Sequence, residues 1–449
     1  MLHRPLGDSD FRLARVLYYL GLSLVAAGAL RPIPGIDISD CFFIASLVAV
    51  GGALVLKGAT VDPALPGLFV FGFMVFSLGA LFSLPGALHP SDAAGAFARF
   101  TYTMGVWFAL GTIVLRTRRH VEVAIVAWII SLAISGLAAI AQVRLGQEVF
   151  ASFTTIQVDP ITGFTGPYAG RQMGLSEHPN ALGGAAAVAL APAMLFAASR
   201  IWTEAKRYVS IGLLGLVLAC IALSGSVTAF GAGIASVAIW LASGRVAIRQ
   251  LLVVTATLAL ATSALIVINQ QGASSVLSPI DRVSLTLGLT TTPLATGLDR
   301  LTLDAIAWNE IVRNPLLGVG LDGGSIAQVM GGVGVHNMFL LVWVGAGVFG
   351  ALGLLLMVMS LGSTYLLEFR RSSDPIERTL VLALATSFVS FLIVALAQPD
   401  LYIRWGWVPA ALLLSLRAKR LRDEKAERVV TWPTGQPAGA ANAIPTFRS

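Results

Sequence analysis

The residues of this chain best suited to chemistry are one histidine and a few arginines. His336 and Asn337 open a long apolar run, and Arg300 lies upstream in the same connection. An imidazole able to take a proton and a guanidinium able to hold an anion therefore share one segment, with a glycine-rich turn between them. On chemistry alone, a single histidine at a helix mouth is more often an interfacial hydrogen-bonding residue than a base. Arg300 has two readings: an exposed contact with Asp304 one turn later, worth roughly a few tenths of a kcal/mol, or a bidentate grip on a diphosphate shared with Arg171. Arg171, in "GRQMGLSEHPN", is either that second grip or a snorkelling anchor. Arg404, between aromatic residues in "YIRWGW", reads as an anchor at a membrane boundary.

Other polar motifs carry less. His3, His89, His120, His178 and His336 show no metal-ligand spacing with one another or with cysteine, so no metal site is expected. Cys41 and Cys220 both fall in apolar runs and read as small core residues rather than a disulfide. Gly318, Gly320 and Gly323 fit G-x-G-x-x-G, but no β-α-β unit surrounds them; they read as a tight turn, and no cofactor is expected.

The elements that must position these residues are membrane helices. The chain is 56% hydrophobic and 12% charged, with a mean hydropathy of +0.81, which excludes an ordinary soluble domain. Apolar runs are read as spans near Val16–Leu30, Cys41–Leu56, Gly67–Leu84, Tyr102–Leu115, Val123–Val143 and Ala181–Ala198. Further runs lie near Val209–Leu223, Ala229–Ala242, Leu251–Ile268, Met338–Met359, Leu380–Ala397 and Trp405–Leu416. The expected fold is all-α: a polytopic membrane protein of about twelve transmembrane helices. No signal-peptide cleavage site stands out, so the first run reads as a retained span.

Lys and Arg set the orientation. They cluster in short segments beside the spans, the positive-inside pattern and not a nucleic-acid patch, so both termini are expected in the cytoplasm. Arg31, Arg99, Arg144, Arg171, Arg282, Arg300, Arg313 and Arg404 fall on the outer side against that bias, so some of them need another explanation. Two outer segments are long, 144–180 and 269–336. In the second, Leu298, Leu301, Ala305, Trp308 and Val312 recur at helical spacing with Asp299, Arg300, Asp304, Glu310 and Arg313 off the stripe. This predicts an amphipathic helix along the membrane surface, ended by Pro315. The chain thus divides into a transmembrane region 1–268, the loop 269–336, a second transmembrane region 337–417 and a basic tail 418–449, which lacks periodicity from Val429 and reads as disordered.

"GLSEHPNALGGAAAVALAPAMLF" at 174–196, "DRLTLDAIAWNEIVRNPLLGVGLDGG" at 299–324 and "HNMFLLVWVGAGVFGALGLLL" at 336–356 resemble the O-antigen ligase and O-antigen polymerase-like superfamily of bacterial membrane glycosyltransferases. The likeness covers about the second half of the chain. It implies an inner-membrane enzyme with a large periplasmic loop. That enzyme would move a glycan from undecaprenyl diphosphate to a hydroxyl of a glycan, a lipid A-core or a protein, with inversion and without metal or nucleotide. Carried over by position, His336 would deprotonate or orient the acceptor, Arg300 would hold the departing diphosphate, and Asn337 would share the mouth of the site. The chain departs from the family where a Ser-Arg-Gly turn is usual; here the stretch reads Ser226-Val227-Thr228, and Arg171 or Arg404 would have to compensate. The rival classes are a transporter or flippase of a lipid-linked sugar and a non-catalytic partner of other polysaccharide-assembly proteins. Against a transporter, the predicted spans hold almost no ionisable residue away from their ends.

Overall fold

The computed structural model describes residues 8–32, 36–57, 63–145, 170–198, 204–244, 256, 296–332 and 334–431. Among these residues regular structure is helical and no β-strand occurs. In chain order the helices are α1 (Arg12–Leu22), α2 (Ile38–Lys57), α3 (Gly67–Ser83), α4 (Pro90–Thr101), α5 (Phe108–Val114), α6 (Arg118–Leu145) and α7 (Pro179–Ala198). They continue with α8 (Glu204–Ser224), α9 (Val227–Ala242), α10 (Thr296–Arg313), α11 (Gly323–Val329), α12 (Met338–Arg371), α13 (Pro375–Ala395) and α14 (Arg404–Thr431). Six of the described helices, α2, α3, α6, α7, α12 and α13, are long and apolar enough to cross a membrane, and this makes the chain a membrane-embedded helical protein. The expected span at Leu251–Ile268 lies, apart from residue 256, outside the described residues.

Small residues set the packing. α7 is the central helix, its alanines and glycines buried on every side against α6, α8, α9, α13 and α14. A Cβ at Gly183 would stand 2.4 Å from Ser224 Oγ, so α7 reaches its neighbours at a distance only glycine allows. α3 and α12 meet backbone to backbone: a Cβ on Gly79 would lie 2.4 Å from the Gly350 nitrogen, and one on Gly353 would lie 2.3 Å from that of Phe76. The outward sides of α2 and α3 expose Val48, Val55, Phe71, Met74 and Phe82, an apolar belt suited to lipid.

Charge gathers at the two ends of the bundle. At one end Arg118 pairs with Asp374, Lys419 with Glu377 at 3.1 Å, and Arg420 with both oxygens of Glu368, at 2.8 and 2.5 Å. At the other, Arg404 binds Asp37 at 2.6 Å and Asp40 at 2.5 Å, while Arg31 binds Asp37 at 3.1 Å and also pairs with Glu177.

Several elements differ from the hydropathy reading. α1 stops at Leu22, and 23–30 runs on as turns although it is as apolar as a span. Its main chain is satisfied sideways: Ala29 donates to the Leu175 carbonyl at 2.9 Å, and Ser176 Oγ donates to that of Ala26 at 2.9 Å. Buried in protein, an unwound segment costs little, and hydropathy cannot tell it from a helix. The expected span at Tyr102–Leu115 begins earlier, in α4 with Pro90 at its first position, and passes through a π-turn at Tyr102–Trp107 into α5. α14 continues past Leu416 to Thr431, so the first part of the tail is helical, held by the Arg420 and Lys419 pairs. Cys41 is exposed on α2, whereas Cys220 is buried.

α10 forms where the periodicity predicts it, and the protein packs on a different side from the stripe expected to lie along the membrane. Leu301, Trp308 and Val312 are exposed, while Ala307 and Ile311 are buried with Ile326, Met330, Val335 and Val344 in a small separate core.

Candidate functional site

The site is built on two irregular segments inserted between helices. The first, 170–178, is fixed by side chains of α6: Gln142 Oε1 accepts from the Met173 and Gly174 nitrogens at 3.2 and 2.9 Å, and its Nε2 donates to the Gly174 carbonyl at 2.9 Å. Ser135 Oγ accepts from the Leu175 nitrogen at 3.0 Å. Gly174 has a φ of +56°, and a Cβ there would stand 2.2 Å from the Ser135 carbonyl oxygen, so this position must be glycine. On the other flank the Gln172 nitrogen donates to the Leu223 carbonyl at 2.9 Å.

The second segment, 315–320, lies across a break in α12. At Gly347 the backbone leaves the helix, with φ 65° and ψ −167°. The groups freed there are met by the segment: Val319 donates to Val344 and Gly320 to Gly345, both at 2.9 Å, and Val348 donates to Pro315 at 3.0 Å. Gly318 and Gly320 adopt positive φ, and a Cβ on Gly318 would be 2.5 Å from the Gly345 carbonyl. The glycines of "NPLLGVG" thus permit main chain to lie directly on main chain. Ahead of the break, Asn337 caps α12, its Oδ1 accepting from Phe339 and Leu340 at 3.0 and 3.3 Å.

These segments bring together residues far apart in sequence. Arg171 is buried, with Nε donating to the Ser224 carbonyl at 2.8 Å and an Nη donating to Asn180 Oδ1. His178 stands just before α7, and its Nδ1 accepts from the Ala181 nitrogen at 3.1 Å, so in the neutral ring the proton sits on Nε2. Burial, then the charges of Arg171 and His336, push the His178 pKa down to about 4, so the ring is neutral at ordinary pH. Those two electrostatic influences also locate His336 and Arg171 in the neighbourhood of His178.

His178 borders a cavity of about 230 Å3 lined by the unwound 25–28 backbone, Arg31, Asp37, Arg99, Glu177, Tyr402 and Trp405. Burial raises the Glu177 pKa and the Arg31 charge opposes that rise. Burial also raises the Tyr402 pKa, and its hydroxyl donates to the Leu321 carbonyl at 3.2 Å, tying the cavity wall to the residue that follows the second segment.

Of the residues singled out from sequence, Arg171 and His336 lie near His178, and Asn337 follows at the mouth of α12 with its side-chain oxygen occupied as a cap. Arg404 lines the same cavity, but its guanidinium is bound by two carboxylates. Arg300 lies in α10, and its side chain is outside the described residues. Sequence reasoning weighed His178 only as a metal ligand, placed Arg31 and Arg99 only among the outer arginines that need another explanation, and did not single out Glu177. One signal for His178 was available, a histidine directly before a proline that opens an apolar run, the position whose side chain can cap the helix. No protein-family model matches the chain, and comparison with curated proteins gives no match either.

Proposed function

We propose that the protein is a membrane glycosyltransferase that moves a glycan from undecaprenyl diphosphate to an acceptor hydroxyl at the bundle end holding His178 and His336, and that this end faces the periplasm. The observation that carries this reading is the proximity of His178, in the first stretch resembling the ligases and polymerases, to His336, which opens the third, with Arg171 beside them. In the transfer, the bond from the anomeric carbon to the phosphate oxygen breaks and the diphosphate leaves with the bonding pair. The acceptor oxygen bonds to that carbon and gives up its proton.

His336 takes that proton in this reading. His178 has a different role. Neutral and protonated on Nε2, it donates a hydrogen bond to a substrate oxygen and is too weak a base to compete for the proton. A charge on His336 is among the influences that disfavour one on His178, so the proton stays on a single ring. Arg171 reaches the Ser224 carbonyl, at the turn leading into Ser226-Val227-Thr228 where the resembling family carries an arginine. That favours Arg171 over the carboxylate-bound Arg404 as the cation replacing it. Arg300 holds the leaving diphosphate, as the likeness implies.

The test uses purified protein in lipid with an undecaprenyl-diphosphate-linked glycan and an acceptor, the product being identified by mass spectrometry. His336→Ala and Arg300→Ala, present at normal membrane levels, should each lower transfer by about a hundredfold or more. Unchanged transfer in both variants rejects the reading, as does movement of the lipid-linked sugar across liposomes with no new glycosidic bond.

A further inference from the structure

The cavity beside His178 contains a guanidinium that its other cations do not resemble. Arg31 is bound to Asp37 and Glu177, and Arg404 to Asp37 and Asp40, so both charges are answered by carboxylates. Arg99 of α4 lines the same cavity, is exposed, and makes no ion pair or side-chain hydrogen bond among the described residues. Its charge is felt by the Tyr402 ring, so the guanidinium lies close to that wall.

The remaining lining narrows the ligand class. A cavity of about 230 Å3 is sized for a single pyranose ring and not for a long chain. Glu177 and Asp37, their charges answered by Arg31 and Arg404, keep oxygens that can accept from hydroxyl groups, and Tyr402 and Trp405 offer ring surface for the C–H face of a sugar. One guanidinium without a carboxylate partner calls for one negative charge, and its planar fork matches a carboxylate. We propose that this cavity is the acceptor subsite and that it selects an acidic pyranose, a hexuronate, whose carboxylate is gripped by Arg99 while His178 Nε2–H donates to a ring substituent.

This inference rests on the transferase reading only for the word acceptor; the preference for an acidic sugar is a binding property. The test is saturation-transfer NMR on the full chain in lipid nanodiscs with glucuronate, glucose and inorganic phosphate as probes. Glucuronate should bind at least tenfold more tightly than glucose, Arg99→Gln should bring the two within twofold, and Arg99→Lys should keep part of the preference. The inference is overturned if wild type does not prefer glucuronate, if Arg99→Gln keeps the full preference, or if phosphate displaces glucuronate as well as glucuronate displaces itself. A chain that shows the preference and forms no glycosidic product would retain the acidic-sugar site and lose the transferase reading; a chain that transfers glycan without the preference would do the reverse.

Discussion

Arg171 hydrogen-bonds the side chain of Asn180, two residues beyond His178, and so brings a buried guanidinium's charge to bear on that histidine's ring. The ring's folded pKa of about 4 lies below the ordinary histidine value of 6.5. Between those values the unfolded chain binds a proton that the folded chain does not. The contribution to stability is therefore complete above pH 6.5 and is lost as the pH falls toward 4. His178→Asn keeps an acceptor for the Ala181 nitrogen and removes the titration. Its melting temperature in detergent should fall less than that of wild type between pH 7 and pH 5, and parallel curves would refute the assignment.

Gly174→Ala should be strongly destabilising, by about 2–4 kcal/mol, because it adds a Cβ on a left-handed backbone against the Ser135 carbonyl. Gln142→Leu should cost about 3 kcal/mol, since it strips partners from three main-chain groups of the same segment. Chemical denaturation in mixed micelles measures both, and an effect below about 1 kcal/mol in either variant would mean that these contacts do not hold the segment.

Removing Arg404 leaves Asp37 and Asp40 as buried carboxylates without that cation. Arg404→Gln is expected to lower stability by about 3–5 kcal/mol. Replacing all three together, with Asp37→Asn and Asp40→Asn, should recover much of that loss. A triple variant as unstable as the single one would show that the charges are not what holds α14 to α2.

Gly347→Ala would push a methyl group to 2.1 Å from the Leu316 carbonyl, so the 315–320 segment should lift from α12. Hydrogen exchange at the amides of Val319, Gly320 and Val348 should accelerate by at least tenfold, while amides of α13 stay protected. Equal protection in variant and wild type would contradict the docking.

Much of the helix plan was legible because a span needs a fixed length of apolar residues: α2, α3, α6, α7, α12 and α13 coincide with runs visible in the sequence. Hydropathy records burial and not conformation, so it passed over the unwinding after Leu22 and the break at Gly347, where apolar residues sit in protein with their main chain bonded sideways. The contact that holds α10 to the protein was not legible from its periodicity. Its stripe of large residues stands exposed, and the smaller Ala307 and Ile311 make the contact. At the site, His336 and Asn337 stood out as a polar pair before a long apolar run, but His178 was weighed only as a metal ligand, and its role before Pro179 was missed.

The stretches at 23–30 and 170–178, which reach the cavity at Val25, Ala26, Gly28, Ser176, Glu177 and His178, consist of peptide groups locked to other peptide groups or to buried side chains. Such masonry changes shape only at a cost in stability, because a residue exchange that moves a carbonyl or an amide also breaks the bond its neighbour makes to it. Any change in what the cavity admits that leaves this main chain in place has to come through side chains that line it, such as Arg99, Glu177 and Tyr402.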